Sequence, residues 1–129
     1  MLGKIIAVSL GGVVGALMRY GTGGIVHRSF PADFPYGTLF INLAGCLAIG
    51  FLWGMFERFE FPSNARSFVF IGILGSFTTF SSYGIETFNL LRDGEINYGL
   101  MNILLNNVLG IVLVFAGFWL SRAVLGMFK

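Results

Sequence analysis

Four stretches of roughly twenty residues, each close to the length that a helix needs to cross a bilayer, run through this chain almost without charge. They cover about residues 2–26, 36–56, 67–85 and 96–120. Lys4 and Arg19 intrude on the first, and the second is uninterrupted. The third is studded with hydroxyls, and the fourth holds Asn102, Asn106 and Asn107 but no charge. Each reads as one membrane span, so residues 1–129 form a single all-α, four-span domain with short joins. An even number of spans puts both ends of the chain on one side.

Composition closes the alternatives. A soluble fold of this size leaves about a third of its unfolded surface in water, and eight Lys/Arg with six Asp/Glu could not cover it. Aromatic residues at 16% and low charge exclude disorder, and a lone cysteine, Cys46, excludes a disulfide scaffold. The net charge of +2 comes from scattered residues, which gives nucleic acid no footprint. The first stretch begins like a signal peptide, but it lacks a small-x-small cleavage site before Arg19 and is read as a retained span. Lys4, Arg58, Arg66, Arg122 and Lys129 fall on the side of the termini, against Arg19, Arg28 and Arg92 on the other. That bias is weak, and it is compatible with insertion in both orientations.

Glycine is the second outlier, with 19 residues. Gly11 and Gly15, and again Gly50 and Gly54, make GxxxG pairs, and Gly110 and Gly117 stand seven apart. Such spacing lets helix backbones approach closely in lipid. Four short helices enclose little interior of their own, so self-association is expected.

Polar groups inside the membrane are expensive and carry the functional signal. Asn42 lies within the second span, while Asn102, Asn106 and Gly110 share a face of the fourth at i, i+4, i+8. The third span reads Gly72-Ile-Leu-Gly-Ser-Phe-Thr-Thr-Phe-Ser-Ser-Tyr-Gly84, a run of middling and poor helix formers. A break near its middle is expected, and unwound backbone at that depth must be buried in protein or line a cavity. Phe77, Phe80 and Tyr83 recur at i, i+3, i+6 and are expected to share a face.

The chemistry left to such a chain is narrow. His27 and Cys46 have no evident partners for nucleophilic catalysis, metal-ligand spacing is absent, and Gly11–Gly15 lacks the strand that a phosphate loop needs. The first, second and fourth spans hold no carboxylate, and Glu86 stands at the exit of the third, which counts against proton-coupled exchange. What remains is a path of amides, hydroxyls and ring edges with Arg19 near one mouth, suited to a small anion.

Three segments resemble the small bacterial fluoride channels of the Fluc or CrcB family. They are Gly11-Gly12-x-x-Gly15-Ala16-x-x-Arg19-Tyr20, Gly37-Thr38-Leu39-x-x-Asn42-x-x-Gly45, and Gly75-Ser-Phe-Thr-Thr-Phe-Ser-Ser-Tyr83 followed by Glu86. The third is the specific one, and the match covers nearly the whole chain. The resemblance implies an antiparallel, dual-topology homodimer in the bacterial cytoplasmic (inner) membrane. It would have two pores, passive export of fluoride and a structural sodium ion at its centre. Carried over by position, the sodium carbonyls belong to Gly75 and Thr78. The pore pair falls on Phe80 and Tyr83, the pore asparagine on Asn42 and the vestibule arginine on Arg19. Thr79, Ser81 and Glu86 match pore-side polar positions. Tyr83 departs from the family's usual phenylalanine and adds a hydroxyl beside the path.

Two other readings stand beside this one. A small multidrug-type exporter also has four short spans, but it would carry a glutamate in the first. A non-conducting scaffold subunit would use the same asparagines and glycines for packing alone.

Overall fold

The computed structural model describes residues 1–30 and 33–126; Lys129, counted above with the termini, lies outside them. Among the described residues every regular element is helical, and four helical runs are long and apolar enough to cross a membrane. They span Leu2–Ser29, Tyr36–Arg58, Ser63–Arg92 and Ile96–Gly126. Pro35 and Pro62 immediately precede the second and third, as expected of a residue that cannot donate into a helix. The runs exceed the apolar stretches that betray them, most of all in the third, which starts before residue 67 and continues past 85. In lipid the backbone must bond within the helix. Polar turns such as Asn64–Arg66 and Glu86–Arg92 extend it outward, where long side chains reach water.

The third span is not uniform. Residues 67–74 form wide π-type turns and Gly75–Phe77 return to α geometry. Thr78 (φ −79°, ψ 157°) and Thr79 (φ −148°, ψ 114°) are then extended, and helix resumes over Phe80–Arg92. Both threonines use their hydroxyls locally. Thr78 Oγ1 donates to Leu74 O at 2.9 Å, and Thr79 Oγ1 accepts the Ser82 N–H at 3.2 Å, an N-cap for the helix that follows. Two extended residues reset the helical phase, which corrects one expectation from spacing. Phe80 and Tyr83 border one cavity, whereas Phe77 is buried towards Gly45 and does not line it, so Phe77 does not share their face. Phe80 and Tyr83 do, with ring centroids 5.2 Å apart and edge to face.

Glycines set the packing. The first span lies against the third, and the second against the fourth. Gly11 faces the backbone of Phe68 and Gly72, and Gly15 faces Ile73. Across the other seam Gly50 meets the Val114 backbone, Gly117 meets Leu47, and Gly54 meets the buried Ser121. Both GxxxG pairs are therefore used inside one chain. The third and fourth spans join through Asp93-Gly94-Glu95, where Gly94 takes φ +85°. The Glu95 N–H returns to Leu90 O at 2.8 Å and closes the helix end.

Candidate functional site

A continuous chain of hydrogen bonds joins the extended threonines to the second and fourth spans. Asn42 sits opposite Thr79 and engages its peptide group from both sides. Its Oδ1 accepts the Thr79 N–H at 2.9 Å, and its Nδ2 donates to the Thr79 carbonyl at 3.2 Å. The same Nδ2 donates to Asn106 Oδ1 at 2.9 Å. Asn106 in turn donates to the Asn102 backbone and side-chain oxygens at 3.0 and 2.9 Å. Asn102, 1% exposed, donates to Thr87 Oγ1 at 2.9 Å. Thr87 donates to the Tyr83 carbonyl at 2.8 Å and so returns the chain to the third span. Every amide here meets a partner, as buried polar groups in lipid require.

Two cavities flank this seam. The wider, about 1480 Å³, is bordered by Arg19, Thr38, Thr79, Ser82 and Glu86. The smaller, about 310 Å³, is bordered by Asn42, Thr79, Phe80, Tyr83, Asn106 and Asn107, and by Gly75 and Thr78. Thr79 belongs to both and marks their junction. Its hydroxyl also lies 3.1 Å from Ser82 Oγ and 3.3 Å from Ser81 Oγ, so three hydroxyls gather at the start of the Phe80–Arg92 helix. The positive end of that helix, where backbone N–H groups lack helical acceptors, points at the junction.

The residues singled out from sequence thus separate into two groups. Asn42, Thr79, Phe80, Tyr83, Gly75 and Thr78 meet around the smaller cavity. Arg19 and Glu86 face the wider one, and among the described residues no ion pair joins them. Ser81 is exposed, and its one side-chain hydrogen bond among the described residues is with Thr79. Glu86 is level with the first turn of the second span, where Thr38 Oγ1 donates to its Oε1 at 2.6 Å. Its other oxygen is buried without a partner among the described residues.

Sequence reasoning marked Asn102 and Asn106 as one face of the fourth span but gave neither a place in the site. It named Thr38 and Asn107 without giving either a role, and it passed over Thr87. A wide π-type turn over Leu105–Leu109 lets successive amides serve different neighbours: Asn106 reaches Asn42, and Asn107 donates to the Tyr83 hydroxyl at 3.0 Å. No regular period announces that.

Known proteins add to this geometry. The model of the family described as "CrcB-like protein, Camphor Resistance (CrcB)" matches residues 6–118. Among similar curated proteins, one from Parabacteroides distasonis is 39% identical over 126 residues, covering 98% of each chain. A Salinibacter ruber protein is 44% identical over 123 residues, covering 95% of this chain and 92% of its own. One from Aquifex aeolicus is 40% identical over 123 residues, covering 95% and 99%. All three bear the name fluoride-specific ion channel FluC. A family match across most of the chain, and relatives of near-equal length at this identity, place it: this four-span membrane protein belongs to the CrcB family.

Proposed function

We propose that the chain is a fluoride-specific ion channel of the bacterial inner membrane that lets cytoplasmic fluoride out passively. The observation that carries this reading is the junction at Thr79. On one side of Thr79 lies the wide cavity that Arg19 borders, and on the other a smaller cavity walled by amides, hydroxyls and ring edges with no carboxylate; the two are read as one path. Fluoride is small and strongly hydrated, so a path for it must replace water with several short donor contacts. The N–H groups of Asn42, Asn106 and Asn107 are bonded to protein acceptors, which leaves the Tyr83 hydroxyl and the edges of Phe80 and Tyr83 as neutral donors of that kind. Arg19 and Arg28 offer positive charge at the mouth, which Asp33, Glu86, Asp93 and Glu95 also border. The positive end of the Phe80 helix favours negative charge beside Thr79.

The working unit in this reading is an antiparallel pair of chains with a pore on each side. Supporting it, both glycine seams are occupied within one chain, while Phe80 and Gly75 remain exposed beside the open small cavity. The interruption at Thr78–Thr79 is read as the functional break of the third span. Nothing among the described residues donates to the carbonyl oxygens of Gly75 or Thr78. Free carbonyls suit a hard monovalent cation that exchanges water for oxygen ligands, so these two residues fit as the holders of a structural sodium ion. When bound, the ion would offset the partial negative charge of these carbonyls and so favour assembly. Replacing sodium by N-methylglucamine should shift purified protein from dimer to monomer in size-exclusion chromatography. An unchanged dimer would remove sodium from the assembly.

Liposomes loaded with fluoride and containing only this protein test the channel reading with a fluoride electrode. Efflux without a proton gradient, and no comparable chloride efflux, is expected. Efflux that demands a proton gradient would point to an exchanger of the multidrug type, and no efflux would leave a packing subunit.

A further inference from the structure

Among the described residues the Tyr83 hydroxyl has one hydrogen-bond partner, Asn107, and the way that partner is held decides what the hydroxyl can do. Asn107 Nδ2 lies 2.8 Å from the Ile103 carbonyl and 3.0 Å from the Tyr83 oxygen. A carbonyl oxygen only accepts, so the amide end against it must be the nitrogen. One N–H goes to Ile103 and the other to the phenol. The phenol oxygen is thereby an acceptor towards Asn107, and its own hydrogen is left over. No acceptor for that hydrogen appears among the described residues. The Tyr83 side chain is packed, at 8% exposure, with its ring set edge to face against Phe80, so the hydroxyl has little room to turn elsewhere. Both Tyr83 and Asn107 border the smaller cavity, beside Asn42 and Asn106.

We infer that Asn107 is a positioning residue for anion passage: it fixes the Tyr83 hydroxyl as a hydrogen-bond donor aimed into the narrow cavity. This deepens the fluoride-channel reading and rests on it. A hydroxyl whose oxygen already accepts a hydrogen bond is the stronger donor, because linked hydrogen bonds polarise one another. Fluoride in the cavity meets that donor beside Asn42, whose own two N–H groups are taken by the Thr79 carbonyl and Asn106. A tighter site holds the ion longer, and conduction slows when leaving becomes difficult.

A double-mutant cycle read by fluoride efflux from liposomes tests this. Tyr83→Phe removes the donor, and a gain in maximal flux of roughly fivefold, one neutral hydrogen bond's worth, is expected together with a higher half-saturating fluoride concentration. Asn107→Leu leaves the hydroxyl unaimed and should move both quantities the same way by a smaller factor, roughly twofold. The double variant should match Tyr83→Phe alone, since Asn107 has nothing left to position. Asn107→Gln, which keeps an amide donor, should move flux back towards wild type. Should Asn107→Leu not assemble, Asn107→Ser takes its place, being too short to reach the phenol. Effects that multiply in the double variant, or wild-type flux and half-saturation in the Asn107 variant, overturn the role of Asn107. A lesion in packing alone would lower maximal flux, leave half-saturation in place and persist in the Phe background. If wild-type liposomes release no fluoride, the channel reading itself fails, an outcome distinct from a multiplicative cycle.

Discussion

Asn42→Asp stops fluoride efflux, with an expected loss of at least about a hundredfold, corresponding to ~3 kcal/mol or more of lost hydrogen bonding and added charge. Asp keeps the oxygen that accepts the Thr79 N–H, so half of the clamp survives. The other half reverses. Asn42 Nδ2 donates to Thr79 O and Asn106 Oδ1 at 3.2 and 2.9 Å, and a carboxylate there sets oxygen against oxygen twice. It also places a negative charge on the wall that an anion has to pass. Escape by protonation restores one donor at most, which predicts partial recovery on acidifying the vesicle suspension. The fluoride electrode reads the result directly, with size exclusion confirming assembly. Wild-type flux in Asn42→Asp would remove Asn42 from the path.

The second large effect concerns stability. Gly50→Ala adds one methyl group, yet a Cβ at that position falls on the backbone of Val114 in the fourth span. A crowded side chain can change rotamer, but a carbonyl within a helix has no such freedom. The two spans must separate, and the loss should reach the upper end of overpacking effects, about 3 kcal/mol. For a protein whose net stability is about 5–15 kcal/mol, that is a large share. Gly24→Ala makes the internal contrast. Nothing lies within 4 Å of a Cβ at Gly24, and helix propensity alone favours the change by up to ~1 kcal/mol. Thermal unfolding in detergent, followed by the fraction surviving size exclusion, should show Gly50→Ala melting far below wild type and Gly24→Ala at or above it. Equal midpoints would mean that the second and fourth spans are not packed through this glycine.

Most of the layout was legible from charge and glycine because both act through one-dimensional rules. Hydrocarbon excludes charge over a fixed length, so gaps between charges count the spans. Small residues four apart mark a seam whatever they face. Asn42 was legible for the same reason, since an amide in the middle of a span needs a partner. What the partner is could not be read. The Thr79 peptide group lies 37 residues away, and Asn106 lies 64. Phe77 went to the wrong face because the spacing argument assumes an unbroken helix, and Thr78 and Thr79 are extended. Asn107 was named but given no role because its neighbour Asn106 fits the i, i+4 pattern with Asn102, whereas Asn107 acts through a widened turn. Thr38 and Thr87 are ordinary helix residues until Glu86 and Asn102 come against them.

The clamp at Thr79 also bears on how the chain enters the membrane. A regular helix arrives in lipid with its peptide groups already bonded, and it needs no neighbour to stay there. The third span does not, because the Thr79 N–H and carbonyl are satisfied by the side chain of Asn42. Released alone by the insertion machinery, it would carry a bare peptide group into hydrocarbon, at a penalty of several kcal/mol. The second span emerges from the ribosome first, with Asn42 already waiting. Insertion of the third is thereby coupled to its pairing with the second, and the order of synthesis becomes part of the folding mechanism.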